Sequence, residues 1–300
     1  MRTIVIFNPS AGRGRGGAIA SAVERGLVSR GLEVELRATR RPKDAMVIAR
    51  RFATETDIIV AVGGDGTINE VANGMACAGG TAPRGTEGRA LLGIVPAGTV
   101  NVLALELGLP FQVERACNVI AGGKTISLDV GRVNDRRFVL MMGAGIDALT
   151  VRNIDLRAKR RFKELAFVST GLKQGLSARP PAFLVRANGQ EYETTFFVAG
   201  NSRYYGGRFG ITPHADPTDG VLDLLLFTGT TRSSLAVFWL GVPSGLHLRN
   251  SNVTYVHAER AELVPLDDKE VVWFQTDGEL AGKLPAVVDV DPHALDILVP

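Results

Sequence analysis

An α/β domain followed by an all-β domain is the architecture the sequence predicts: a three-layer α/β unit with a parallel sheet over residues 1–124, then a β-sandwich over residues 125–300. Three observations lead there. Up to residue 124, runs of β-branched residues alternate with stretches of helical apolar spacing, and strands separated by helices imply a parallel sheet. From Thr125 short strands crowd together with one long helical interruption, the texture of an antiparallel sandwich. Two of the early strands end in glycine and threonine where a helix opens, at the edge where open α/β sheets hold ligands.

Composition sets the outer bounds. Three hundred residues with 45% hydrophobic content suit about two packed domains. A net charge of +3 is too weak to argue for nucleic acid, which is not expected as a partner, but agrees with an anionic ligand or an anionic membrane surface. Cys77 and Cys117 are the only cysteines, so a reducing compartment is expected rather than a disulfide framework. Met1-Arg2 leads into a strand without the apolar stretch and cleavage site of a signal peptide, and no apolar run approaches the ~20 residues of a membrane span. The expectation is a cytoplasmic protein whose membrane contact is at most peripheral.

The first strand, Ile4 to Phe7, stops at Asn8-Pro9-Ser10-Ala11-Gly12, where proline and glycine end it. Gly12, Gly14 and Gly17 then fit G-x-G-x-x-G, and Glu33 or Glu35 follows at about the distance of a dinucleotide fold's ribose ligand. Arg13 and Arg15 would crowd a tight pyrophosphate turn yet suit the phosphates of a nucleoside triphosphate, so nicotinamide or flavin binding, another phosphate loop and a plain turn all stay open. Ile19, Ala22, Val23, Gly26 and Leu27 keep helical spacing, Gly31 stops that helix, and a strand runs from Glu33 to Arg37. Thr39 sits just past this strand, on the ligand edge. A second helix carries Ala45, Ile48, Ala49 and Phe52 on one face and leads to the buried strand Ile58 to Val62.

That strand hands over to Gly63-Gly64-Asp65-Gly66-Thr67-Ile68-Asn69-Glu70. Glycines permit left-handed backbone and clear side chains from the amides, Thr67 can bond a phosphate and start the helix, and Asp65 suits a metal ion or its water. The competing reading is a simple strand-to-helix turn. After a helix through Ile68, Val71, Ala72 and Met75 and a loop over Gly79 to Gly88, the same pattern returns: strand Leu91 to Val95, then Pro96-Ala97-Gly98-Thr99-Val100-Asn101. Asn101 either caps the helix that follows or binds ligand.

Taken together, Asn8 to Gly12, Gly63 to Gly74 and Pro96 to Thr99 resemble the diacylglycerol kinase catalytic family, which includes sphingosine kinases and bacterial lipid kinases. The resemblance implies ATP over the C-terminal strand ends, contacted by Asn8, Pro9, Ser10, Ala11, Gly12, Thr39, Gly63, Gly64, Asp65, Gly66, Thr67, Ile68, Asn69 and Thr99. It also implies Mg²⁺ near Asp65 and Asp129. One departure stands out: where many members read Asn-Asp-Phe-Ala, this chain reads Asn101-Val102-Leu103-Ala104, and an acid that would organise magnesium is missing at Val102.

In the second half, strands are expected at Ile126 to Val130, Phe138 to Met142, Phe183 to Ala187, Thr194 to Val198, Leu222 to Phe227 and Leu295 to Val299, the last free to return to the first domain. Between them a helix over about residues 155–176 carries Arg157, Lys159, Arg160, Arg161 and Lys163, either a solvated face or a contact for anionic headgroups. Leu235 to Val242 is apolar on nearly every side and reads as a core helix rather than a surface that meets lipid. Asn201 to Gly207 and Pro213 to Asp223 also resemble the family, which implies a structural Mg²⁺ or Ca²⁺ held by the Asp219 side chain with Asp216 and Val221 carbonyls. Trp273-Phe274-Gln275-Thr276-Asp277-Gly278-Glu279 is a strand and a turn by its residues alone. By resemblance, Glu279 is the proton acceptor, with Asp277 as its alternate or partner.

The function implied is an ATP-dependent lipid kinase acting on a lipid hydroxyl at a membrane surface, with diacylglycerol, a sphingoid base and phosphatidylglycerol all admissible. The assembly is left open, a homo-oligomer included. An NAD kinase, which shares Gly-Gly-Asp-Gly-Thr, is the alternative enzyme. A catalytically silent lipid- or nucleotide-binding regulator is the alternative from another class, motivated by Val102.

Overall fold

The computed structural model describes residues 1–78, 89–153, 181–205, 207–267 and 269–300. They form two compact units, Met1–Val130 with Pro292–Pro300, and Gly131–Asp291. Residues 79–88, where a loop is expected, Gly206 of the Asn201 motif, and the basic stretch of Arg157, Lys159, Arg160, Arg161 and Lys163, where a helix is expected, lie outside the described residues.

In the first unit, strands β1 (Arg2–Phe7), β2 (Glu33–Ala38), β3 (Ile58–Gly63) and β4 (Leu91–Pro96) run parallel in the order β2-β1-β3-β4, and Ile297 adds a parallel partner beside Leu92. Every residue of β3 is buried, as expected for a central strand covered on both faces. Alternation along the strands divides the core. Val5, Val60 and Val95 face Val23 and Leu27 of helix Gly16–Val28 and Ile120 of helix Val113–Gly122. Ile4 and Ile59 point to the opposite face and are fully buried there. Each such aliphatic side chain contributes about 1.5–3 kcal/mol by leaving water. Helices Asp44–Phe52 and Asp65–Ala78 pack so closely that a Cβ on Gly74 would overlap the Met46 carbonyl.

The second unit is built on an antiparallel sheet in the order Val253–Ala258, Leu222–Phe227, Phe196–Gly200, Met141–Gly145, Trp273–Thr276, Glu279–Lys283. A second antiparallel layer pairs residues 286–289 with Arg260–Pro265, then Phe183–Ala187 and Gln190–Thr194. Phe138, Phe183, Phe197, Leu224, Leu263, Phe274 and Val288 fill the sandwich between the two layers.

Three expected strands change shape. Phe138 to Met142 is split, with Arg136–Phe138 and Met141–Gly145 as separate strands, because the amides of Val139, Leu140 and Met141 turn to the Asp277 carboxylate. Thr194 to Val198 is likewise divided at Thr195, where both threonine hydroxyls bond the Phe227 carbonyl. The last strand starts well before Leu295 and runs Ala286–Leu298.

Helix Arg232–Gly241 is capped by Thr231, whose Oγ1 accepts the Ser234 N–H at 3.1 Å. Its core reading holds for one face only. Phe238 and Trp239 are buried edge-on to Phe196 at 5.2 and 5.6 Å, whereas Val237 and Leu240 are 61% and 73% exposed. Among the described residues no helix is long and apolar enough to cross a membrane.

Candidate functional site

Parallel pairing brings the ends of β2, β1, β3 and β4 to one edge, and the four ends are stitched together there. Thr39 N–H donates to the Phe7 carbonyl at 2.9 Å, Asn8 N–H to Val62 at 3.3 Å, and Ala97 N–H to Gly63 at 2.7 Å. Asn8 turns its own loop, its Oδ1 accepting Ser10 N–H at 2.9 Å and its carbonyl accepting Ala11 N–H at 3.0 Å, with Pro9 exposed beside them. Gly12 and Arg13 are left-handed at φ 58° and 60°, and Arg15 folds back onto the Gly12 carbonyl at 3.2 Å rather than reaching outward. The third glycine that matters is Gly16, not Gly17: a Cβ on Gly16 would overlap the Asn8 carbonyl, while Gly17 stands in open space.

The two glycine–threonine motifs meet backbone to backbone. A Cβ on Gly98 would overlap Gly64 Cα, one on Gly64 would lie 3.2 Å from Gly98 Cα, and one on Gly63 would lie 2.6 Å from Thr67. Gly66, Gly98 and Thr99 are exposed, so backbone at this edge is open to a ligand, and exposed amides of this kind can meet a phosphate chain. Thr67 and Ile68 are buried at the start of helix Asp65–Ala78, and Asn69 bonds along that helix, its Oδ1 accepting from Asn73 Nδ2 at 3.0 Å.

Asp65 binds the two motifs together. Its Oδ2 accepts Asn101 N–H at 3.0 Å and its Oδ1 accepts Val102 N–H at 2.5 Å, so it caps helix Val102–Glu106 from another segment. Asn101 therefore does not cap that helix with its own side chain. It is fully buried and left-handed at φ 58°, its Oδ1 accepts Gly98 N–H at 3.2 Å, and its Nδ2 has no hydrogen-bond partner among the described residues.

The carboxylates at the expected metal positions are engaged with backbone amides. Asp65 spends both oxygens on amides, and buried Asp129 accepts His293 N–H at 2.7 Å. Asp216 and Asp219 close their own turns, accepting Thr218 N–H at 3.0 Å and Val221 N–H at 3.1 Å. Among the described residues no three His, Cys, Asp or Glu side chains stand together as a metal group. As arranged, the carboxylates of Asp65, Asp129, Asp216 and Asp219 each accept at least one backbone amide.

In the second unit, Asp277 and Glu279 flank one turn with different environments. Asp277, left-handed at φ 47°, has its carboxylate held by the amides of Val139, Leu140 and Met141, each at 2.9 Å. Glu279 opens the next strand and is exposed. Three amides make Asp277 the anchor of the turn, and the Glu279 side chain stands toward solvent. Beneath them lies a buried set absent from the expected site: Asp147, Tyr205 and Gln275. Burial pushes the Asp147 carboxyl up to about 6, against hydrogen bonds from Tyr205 and Gln275 that favour its anion, and burial likewise raises the Tyr205 hydroxyl. Glu70 also lies outside the expected site, and it holds helix Asp44–Phe52 by accepting Lys43 N–H at 2.8 Å and Ala45 N–H at 3.1 Å. A signal for Asp147 exists in the sequence: Gly143-Ala144-Gly145-Ile146-Asp147 repeats the pattern of strand, glycines and early helical acid seen at Asp65.

A parallel α/β sheet with glycine-lined strand ends, followed by an antiparallel sandwich, defines the NAD kinase and diacylglycerol kinase-like class of architecture. The diacylglycerol kinase catalytic domain model matches residues 2–133, and the YegS C-terminal NAD kinase beta sandwich-like domain model matches residues 141–299. The chain belongs to the diacylglycerol kinase family. Among its relatives, a diacylglycerol kinase of Bacillus subtilis (strain 168) is 28% identical over 95% of this chain and 91% of its own length. One of Staphylococcus carnosus (strain TM300) is 26% identical over 95% and 90%. A solved diacylglycerol kinase structure from Bacillus anthracis str. Sterne shares the fold, with TM-score 0.80 and 23% identity over 100% of this chain and 96% of that one.

Proposed function

We propose that this protein is an ATP-dependent lipid kinase that transfers the γ-phosphoryl group to a lipid hydroxyl. The observation that carries the reading is the backbone contact of Gly64 with Gly98, which joins the two glycine–threonine motifs at one sheet edge. ATP's phosphates rest on the amides of Gly63 to Thr67, with Asn8 to Gly12, Thr39 and Thr99 around them. An alcohol is a poor nucleophile, and a carboxylate that accepts its proton as phosphorus is attacked lowers the barrier. Glu279 takes that role, and Asp277 holds the turn that presents it. Family membership supports the nucleotide and the lipid acceptor.

Replacing Glu279 by Gln tests the assignment. Removing a general base slows transfer about 10²–10⁴-fold, while titration calorimetry finds ATP binding as in the parent protein. Unchanged turnover moves the base to another residue.

A further inference from the structure

We infer that Asp147 and Gln275 are positioning residues for the Asp277-Gly278-Glu279 turn, acting through a buried relay that ends on the Gly278 amide. The inference rests on the proposed role of Glu279 as proton acceptor and extends it to residues that touch no reacting atom.

The relay is continuous in hydrogen bonds. The Tyr205 hydroxyl donates to Asp147 Oδ1, Gln275 Nε2 donates to Asp147 Oδ2 at 2.8 Å, and Gly278 N–H donates to Gln275 Oε1 at 2.7 Å. Asp147, Tyr205 and Gln275 are all buried. The backbone makes room for this arrangement in two places. Gln275 stands opposite Gly143 across the strand pair, and a Cβ on Gly143 would overlap Asp147 Oδ2, so only glycine lets the carboxylate reach the amide. A register shift between Phe274 and Gln275 sets the strand's pairing with Glu279–Lys283 at the same point.

The chemistry gives the relay a direction. An ionised carboxylate only accepts, so Asp147 selects the Nε2 end of Gln275 and leaves Oε1 facing the turn. With the amide reversed, Oε1 would oppose the carboxylate and Nε2 would oppose the Gly278 N–H, two mismatches in a buried site. Asp277, clamped by three amides, holds the residue before Gly278, and Gln275 holds Gly278 itself. Glu279 is the next residue. A buried carboxylate is a costly way merely to fill space, since apolar side chains of similar volume pack as well or better; its position one amide away from the Glu279 turn gives it a use.

The test compares Gln275→Met, which keeps length but breaks both bonds, with Asp147→Asn, which still offers Gln275 an acceptor. Turnover, KM for ATP and hydrogen exchange at the Gly278 amide are read on the full chain. Gln275→Met is expected to lower kcat about 10–100-fold, as a misplacement near 1 Å does, with KM for ATP within about twofold and Gly278 exchange at least about tenfold faster. Asp147→Asn is expected to keep kcat within about threefold of the parent. Parent-like Gly278 exchange and kcat in folded Gln275→Met would overturn the inference, as would an equal collapse of both variants in melting temperature and turnover. Faster exchange with unchanged kcat supports the relay and instead counts against Glu279 as the base, which Glu279→Gln settles separately.

Discussion

At the scale of single residues, the site is built by what two glycines lack and by where one carboxylate points. Gly98→Ala drives a methyl into Gly64, a backbone atom that cannot step aside. A loss of about 1–3 kcal/mol in stability is expected, with ATP affinity falling at least about tenfold; a calorimetric titration that leaves the affinity unchanged contradicts the shared edge. Asp147 makes a second prediction through pH. Its folded carboxyl sits at about 6 against an unfolded value of about 3.9. Below about pH 4 both states hold the proton, and as pH rises through about 6 the folded protein must ionise a buried group, so that part of its stability is lost. A rise of roughly two units corresponds to about 3 kcal/mol as an upper figure. Asp147→Asn is therefore expected to gain on the parent between pH 4 and pH 7, read as a widening gap in melting temperature; a gap that narrows or stays constant refutes the burial account. The sequence displayed Asp65 as a ligand-edge acid, but nothing local says that its oxygens end on Asn101 and Val102, because that bond joins segments far apart in the chain.

Elements were legible where one period governs a whole segment. Ile58–Gly63 is an unbroken apolar run, Leu222–Phe227 is apolar but for Asp223, and both are strands at the expected place. Strand ends set by distant partners were not legible, as at Val139 and Leu140, whose amides leave the ladder for Asp277. Helix Arg232–Gly241 shows the limit of composition: an all-apolar run does not tell which face is covered, and neighbours decide it. Phe238→Ala is expected to cost about 3–5 kcal/mol by emptying the space against Phe196 and Phe227, whereas exposed Leu240→Ser stays within about 0.5 kcal/mol. Denaturation of both variants checks the contrast, and equal losses contradict the division of the helix into two faces.

For the whole molecule, the class of fold followed from the change in texture near Thr125, and membership of the diacylglycerol kinase family from three ordered motifs. The acceptor is another matter, since a lipid's recognition rests on surfaces that no short motif encodes. Phosphoryl transfer from ATP to a lipid is the central claim, and one measurement reaches it directly. The protein is incubated with γ-labelled ATP, a mixed lipid extract and NAD, and the products are resolved by chromatography. Label is expected in a lipid that disappears with Glu279→Gln; label in NAD in preference to any lipid, or none in any acceptor, contradicts the account.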